Sequence, residues 1–200
     1  MLRLAITGGL CSGKSTVSVW LRERGCPVLD ADHLAHRLLQ SDAKAAVVAR
    51  FGQAILDPAG AIVPERLAAI VFGADGAATA DLNSILHPLV MEAARQAMQR
   101  YEQEGKAMAG LDAALLIECG LLAGFDHVVL VVADPELRIS RFTARTGGSR
   151  AQALARMAHQ WPDQRKKEFA DVVVDNSGAL AALHSQLDRL WDRLQQEAHA

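Results

Sequence analysis

The sequence predicts a doubly wound α/β fold built on a parallel five-stranded sheet, and three observations carry that prediction. Five short runs are apolar along their whole length, as strands covered on both faces should be. Helical stretches separate them, which is the alternation that winds a parallel sheet. The first run feeds straight into a glycine-rich segment that opens a helix. Such sheets bind ligands just beyond the carboxyl ends of their strands.

The first strand, Leu2–Thr7, ends in Gly8-Gly9-Leu10-Cys11-Ser12-Gly13-Lys14-Ser15-Thr16, and a helix is expected over Thr16–Arg24. This segment fits the phosphate-loop pattern G-x-x-x-x-G-K-[ST] in the strand-to-helix setting that the pattern requires. Successive backbone N–H groups there form an anion cradle, and the helix N-terminus adds partial positive charge. Gly8 and Gly13 let a phosphate come close. Lys14 would reach the β- and γ-phosphates, and the Ser15 hydroxyl would ligate Mg²⁺. A chance glycine turn fits this context poorly, so the pattern implies a bound nucleoside triphosphate.

A second strand, Pro27–Asp30, leads into Asp30-Ala31-Asp32. The interval from Ala31 to Gly110 carries no convincing strand and reads as helices over Leu34–Gln40, Ala43–Phe51, Glu65–Phe72 and Leu82–Glu104. Asp57-Pro58-Ala59-Gly60 marks a turn, and Pro88 is expected to bend or interrupt the last of these helices. The third strand, Leu111–Ile117, is expected to end near Glu118, and the fourth, His127–Ala133, at Asp134-Pro135. The fifth, Asp171–Val174, ends at Asp175-Asn176-Ser177-Gly178. Polar groups thus collect at one edge of the sheet.

A helix over Pro135–Arg145 carries Arg138, Arg141 and Arg145, the last two sharing a face. Gly147-Gly148 then breaks the chain, and Ser149 can cap a further helix containing Arg150 and Arg156. Arginines around a glycine hinge suit a mobile lid closing over phosphates; the alternative is a solvated basic face. The expected organisation is one domain: a core of about 1–32 and 110–200, a helical insertion of about 33–109 that binds substrate, and a lid of about 138–160.

Two hundred residues, half of them hydrophobic, suffice for such a domain. A net charge of −2 gives no global attraction to nucleic acid or to an anionic membrane, so neither is expected as a partner. Cys11, Cys26 and Cys119 are odd in number and lack C-x-x-C spacing, and so read as reduced thiols. Cys11 stands at a helix N-terminus, where a thiol pKa tends to fall; oxidation sensitivity is one reading and a small side chain pointing away is the other. With no signal peptide and no apolar run of roughly 20 residues, a soluble cytoplasmic protein is expected, as a monomer or weak homo-oligomer.

Three features favour a small-molecule kinase among phosphate-loop proteins. The chain is filled by one nucleotide domain with one insertion. It has no Asn-Lys-x-Asp segment for guanine, and its arginines follow the fourth strand. Phosphoryl transfer rests on positioning and charge neutralisation, and the acceptor hydroxyl needs a group to orient it and take its proton. Asp32 is the candidate for that role. Asp30 is its rival, or else a helix cap or a water-mediated Mg²⁺ ligand.

These residues, with Leu82-Asn83-Ser84-Ile85-Leu86-His87-Pro88, Leu115-Leu116-Ile117-Glu118, the region of Gln160 and Ala170-Asp171-Val172-Val173-Val174-Asp175-Asn176-Ser177-Gly178, resemble the dephospho-CoA kinase family. The likeness runs from the first strand to the last helix. It implies a phosphate-loop kinase fold and transfer of the ATP γ-phosphate to the ribose 3′-hydroxyl of dephospho-CoA, the last step of coenzyme A synthesis. On the resemblance, Asp32 is the base, Ser15 holds Mg²⁺, Lys14, Arg141 and Arg145 neutralise charge, and Asn176 lies in the loop that contacts adenine. Gly8, Gly9, Cys11, Ser12, Gly13, Lys14, Ser15 and Thr16 bind ATP. His87 contacts substrate or is a hydrogen-bonded structural residue before Pro88, and Asp112 and Glu118 touch substrate ribose or a metal-bound water. The chain departs from the family pattern at Cys11, where a glycine is usual, and at Ala114, where a proline is common. It also has Val63-Pro64 in place of an expected Asp-Arg pair, which bears on anchoring of the substrate subdomain.

Overall fold

The computed structural model describes residues 1–71 and 77–198. The chain divides into two compact units, Met1–Leu29 with Met98–Ala200, and Asp30–Ala97.

The first unit carries the sheet. Its strands are β1 (Leu2–Gly8), β2 (Val28–Asp30, whose last residue opens the second unit), β3 (Met108–Asp112), β4 (His127–Val132) and β5 (Val172–Asp175). They lie in the order β2-β3-β1-β4-β5, with β1 parallel to β3 and β4, and β4 parallel to β5. The expected parallel α/β sheet is therefore present. Ile6 pairs with Asp112, and Gly8 with Val131, so β1 ends level with its neighbours. The chain leaves β1 toward β2 and leaves β4 toward β5. That divergence opens a crevice at the carboxyl ends of β1 and β4, the usual ligand position in such sheets.

Helix α1 (Lys14–Glu23) follows β1, α6 (Pro135–Thr146) and α7 (Arg150–Ala158) follow β4, the short α8 (Asp163–Lys166) precedes β5, and α9 (Leu180–Ala198) closes the described chain. Leu4 and Ile6 of β1, Val129 and Val131 of β4 and Val17 of α1 are all fully buried in one cluster. Leu183, Leu187, Leu190 and Leu194, at helical spacing on α9, pack into the same cluster. Burial of each leucine removes a side chain from water and contributes about 2 kcal/mol. Trp20 and Trp191 meet edge-on at 6.1 Å between ring centres and fasten α1 to α9.

The second unit holds α2 (Ala31–Leu39), α3 (Lys44–Phe51), α4 (Pro64–Val71) and the start of α5 (Ala77–Gln103), which continues into the first unit. The expected helix over Glu65–Phe72 corresponds to α4, except for Phe72, which lies outside the described residues. The Asp57 turn is closed by Ala61 N–H donating to the Asp57 carboxylate at 2.8 Å, and an antiparallel bridge pairs Leu56 with Ile62. Val63-Pro64 serves a local purpose: Val63 N–H donates to Ile55 O at 2.8 Å, and Pro64 begins α4, a position where its missing N–H costs nothing.

Two local expectations are corrected. The third strand is Met108–Asp112 rather than Leu111–Ile117; residues 114–124 form turns, and Glu118 lies six residues past the strand end. Leu116 and Ile117 are buried from those turns, so their apolar character reflects packing and not a strand. Of the bend or interruption expected at Pro88, the interruption does not occur, since α5 is continuous through it.

Candidate active site

The phosphate loop is shaped by close approach. A Cβ at Gly8 would collide with Val131 O, one at Gly9 with the Arg138 guanidinium, and one at Gly13 with the Asn176 amide. Gly13 also has φ 97°, a left-handed conformation that other residues resist. It precedes α1 without a side-chain cap, and no acidic residue occupies the first turn of α1. The first N–H groups and the positive end of the helix are therefore left to an anion. Ser12 is buried, and its Oγ has no hydrogen-bond partner among the described residues. An orphaned buried hydroxyl in a cradle lined with glycine fits a phosphate oxygen.

Cys11 has φ 54°, so a side chain stands in backbone space that favours glycine, at a cost of about 1 kcal/mol. Its side chain packs beside Leu10 against the buried Ile139, Phe142 and Ala153, away from the anion cradle.

Lys14 Nζ lies 3.1 Å from Asp112 Oδ1, and Ser18 Oγ donates to Asp112 Oδ2 at 2.7 Å. Asp112, at the end of β3, is buried, and Lys14 is largely so. The carboxylate thus holds the lysine beside the loop. Sequence reasoning did not single out Ser18, although its place one turn after Lys14 puts both on the same side of α1.

The three arginines of the expected lid divide by burial. Arg138 is 5 % exposed and turns inward: its Nε donates to Leu10 O at 2.8 Å and its NH1 faces Asp163 at 3.2 Å. Arg141 is half-buried and reaches the loop further along, with NH1 3.5 Å from both Cys11 O and Ser12 O. Its NH2 donates to Asn176 O at 3.0 Å. Arg145 is exposed and makes no side-chain hydrogen bond or ion pair among the described residues. The break after α6 is a left-handed Gly147 whose N–H donates to Thr143 O at 2.9 Å, followed by a capping box between Ser149 and Gln152.

Asn176, also buried, donates from Nδ2 to Ser12 O at 2.9 Å. Its loop is braced by Ser177 N–H donating to the Asp175 carboxylate at 2.8 Å, and hydrogen bonding from the Ser177 side chain and then its N–H holds the carboxyl below its ordinary range. Asn176 is therefore in contact with the phosphate loop itself.

At the end of β2, Asp30 caps α2 by accepting from His33 N–H at 3.0 Å, while Asp32 lies exposed in the first turn. Of the two aspartates, only Asp30 is the cap. His87, on α5, is half-buried, and desolvation lowers its pKa, favouring the neutral imidazole. Glu118 is not at a strand edge. Its Oε1 is 2.6 Å from Nζ of the fully buried Lys166 and accepts from Trp161 N–H at 3.3 Å. The sequence reading missed Lys166 altogether, because a lysine in the charged run Arg165-Lys166-Lys167-Glu168 resembles any surface residue.

The thiols differ in the same way. Cys26 is 1 % exposed, and burial pushes its pKa up to about 12, so it should not react as a thiolate at pH 8. Disulfide-exchange labelling of the native protein at pH 8 should modify Cys11 and, more slowly, Cys119, whose pKa burial and the neighbouring Glu118 raise. A third thiol should appear only in denaturant. Rapid labelling of all three in the folded protein would contradict the packing around Cys26.

A parallel sheet with a phosphate loop after its first strand and arginines folded back onto that loop defines a small phosphate-loop kinase. Comparison with known proteins narrows the class. The family model described as dephospho-CoA kinase matches residues 2–182. A dephospho-CoA kinase of Shouchella clausii is 36 % identical over 200 residues, covering 99 % of this chain and all of the relative. A solved structure from Thermus thermophilus superposes with a TM-score of 0.81 at 31 % identity, covering 96 % of this chain and 97 % of that one. The dephospho-CoA kinase from Campylobacter jejuni shares the fold, with a TM-score of 0.73 at 23 % identity over 98 % of both chains. The chain belongs to the dephospho-CoA kinase family.

Proposed function

We propose that this chain carries out its family's reaction, ATP-dependent phosphorylation of the ribose 3′-hydroxyl of dephospho-CoA, the final step of coenzyme A biosynthesis. The family match over residues 2–182 carries the choice of acceptor. The site supports the donor side: an uncapped helix start, a lysine held in place beside it and an orphaned serine hydroxyl suit a triphosphate.

In this reading Gly8, Gly9, Cys11, Ser12, Gly13 and Thr16 shape the loop that wraps the phosphates, with backbone N–H groups as donors. Lys14 exchanges Asp112 for the β- and γ-phosphates and follows the charge as it moves to the leaving group. Asn176 and Arg141 hold the loop from the side on which the adenine would lie. Arg145, exposed and unpaired among the described residues, adds charge when α6 and its neighbours close on ATP. Asp32 orients the acceptor hydroxyl and takes its proton, and the resemblance assigns substrate contacts to His87 and to Asp112. Glu118 is assigned substrate contact by the resemblance alone; its Oε1 is engaged by Lys166 and Trp161. Mg²⁺ fits the exposed Ser15 hydroxyl at the helix start, because the ion accepts few protein ligands when phosphates and waters complete its shell. When bound it would offset charge on the phosphates.

No helix among the described residues is long and apolar enough to cross a membrane. We place the reaction in the cytoplasm, an assignment supported by three cysteines without disulfide-type spacing.

The test is an ADP-release assay with ATP, Mg²⁺ and dephospho-CoA, run beside adenosine, AMP, CMP and shikimate. Turnover is expected with dephospho-CoA alone. Turnover with another acceptor, or ATP binding without any turnover, would overturn the assignment.

A further inference from the structure

The Leu10 peptide, at the crest of the phosphate loop, is gripped on both of its polar atoms by groups that do not belong to the loop. Its N–H donates to Gln160 Oε1 at 2.7 Å, and its carbonyl accepts from Arg138 Nε at 2.8 Å. Arg138 is in turn fixed by Asp163, three residues beyond Gln160. Between those two, Trp161 N–H donates to Glu118 Oε1, and Glu118 is paired at 2.6 Å with Lys166, which is fully buried. Residues 160–166 thus touch the loop at one end and a buried ion pair at the other.

We propose that this segment is a bracket that sets the loop for ATP, with Gln160 and Arg138 as positioning residues and the Glu118–Lys166 pair as their anchor. The inference rests on the reading of the loop as the ATP site. Two features argue for positioning in place of plain cohesion. The Leu10 N–H would otherwise be a free donor in a loop whose donors serve an anion, and Gln160 takes it out of that set. Gly9 has no Cβ where the Arg138 guanidinium lies against the loop, so the approach of the arginine and the shape of the loop depend on each other. A loop bent into one arrangement before ATP arrives loses less freedom on binding. A buried ion pair is poor evidence of stability but strongly penalises breakage, which suits an anchor.

The variants are Gln160→Ala, Gln160→Met and Arg138→Lys. Binding of ATP is measured by calorimetry, and turnover with each substrate varied in turn. Gln160→Ala should weaken ATP binding about tenfold, the scale of one lost hydrogen bond with some loop disorder. KM for dephospho-CoA should stay within about twofold of the parent. Gln160→Met keeps the bulk and lacks the acceptor, so it should match the alanine variant. Arg138→Lys keeps one donor and should fall between parent and alanine behaviour.

A second readout needs no catalysis: Cys11 follows Leu10, and its labelling by a thiol reagent in the ATP-free protein should quicken severalfold in Gln160→Ala. A parent protein that binds no ATP would remove the ATP-site reading itself. A parent that binds ATP, with Gln160→Met equally tight and Cys11 equally slow to react, would overturn the bracket.

Discussion

Replacement of Lys14 by alanine should lower kcat by about 10²–10³-fold, the scale of one lost preorganised electrostatic contact, and should weaken ATP binding as well. The structure adds a cost that the loop pattern alone does not contain. Lys14 is the cation beside a buried carboxylate, 3.1 Å from Asp112. Removing it leaves Asp112 with Ser18 as its other polar contact, a loss of about 2 kcal/mol for a buried charged group short of a partner. Lys14→Ala should therefore unfold at lower temperature than the parent, and low activity by itself would be ambiguous.

The pair Lys14→Ala with Asp112→Asn separates the two effects. Neutralising the carboxylate should return most of the lost stability, because no buried charge is then left uncompensated. Turnover should stay low, since nothing has replaced the cation on the phosphates. Recovery of both stability and turnover would mean that Lys14 matters to the fold and not to phosphoryl transfer.

The sheet was legible because its strands are short and mostly apolar: Leu4, Ala5 and Ile6 of β1 and residues 128–132 of β4 are buried, and β5 opens with three valines. β3 was misplaced for a physical reason. It contains Gly110, where an added Cβ would lie 3.1 Å from Ile6 Cδ1, so close packing against β1 removed the bulky residue that marks a strand. The leucines and isoleucine that follow are equally apolar because they pack from turns. Periodicity reports burial, and only length and neighbours separate a buried strand from a buried turn.

At the site, the loop was legible because its chemistry needs a contiguous set of residue types. The arginines were harder. Arg138, Arg141 and Arg145 recur along one helix and look equivalent, yet only the middle of α6 is buried, at Arg138, Ile139 and Phe142. Arg138 at 5 % exposure became a brace, Arg141 a clamp on loop carbonyls, and Arg145 remained free to meet solvent or ligand. The region of Gln160 entered only through the resemblance and Lys166 not at all, because their partners lie 150 and 48 positions away in the chain. Contacts between such distant residues exist only once the sheet has formed.

Asp32→Asn should lower kcat by about 10²-fold or more, the usual scale of losing a general base, with ATP affinity near that of the parent. Asp32 lies exposed in the first turn of α2, where a negative charge gains about 0.5 kcal/mol from the helix dipole. Its neighbour supplies the control. Asp30 caps the same helix through His33 N–H, and asparagine caps as well as aspartate, so Asp30→Asn should retain both stability and turnover, whereas Asp30→Ala should cost about 1 kcal/mol. The two asparagine variants thus remove one negative charge each, two residues apart, and differ only in which carboxylate is lost. A large kcat loss confined to Asp32→Asn assigns the proton transfer to Asp32. An equal loss in both variants would point to the local field as the source of the rate, and a loss confined to Asp30→Asn would exchange the two roles.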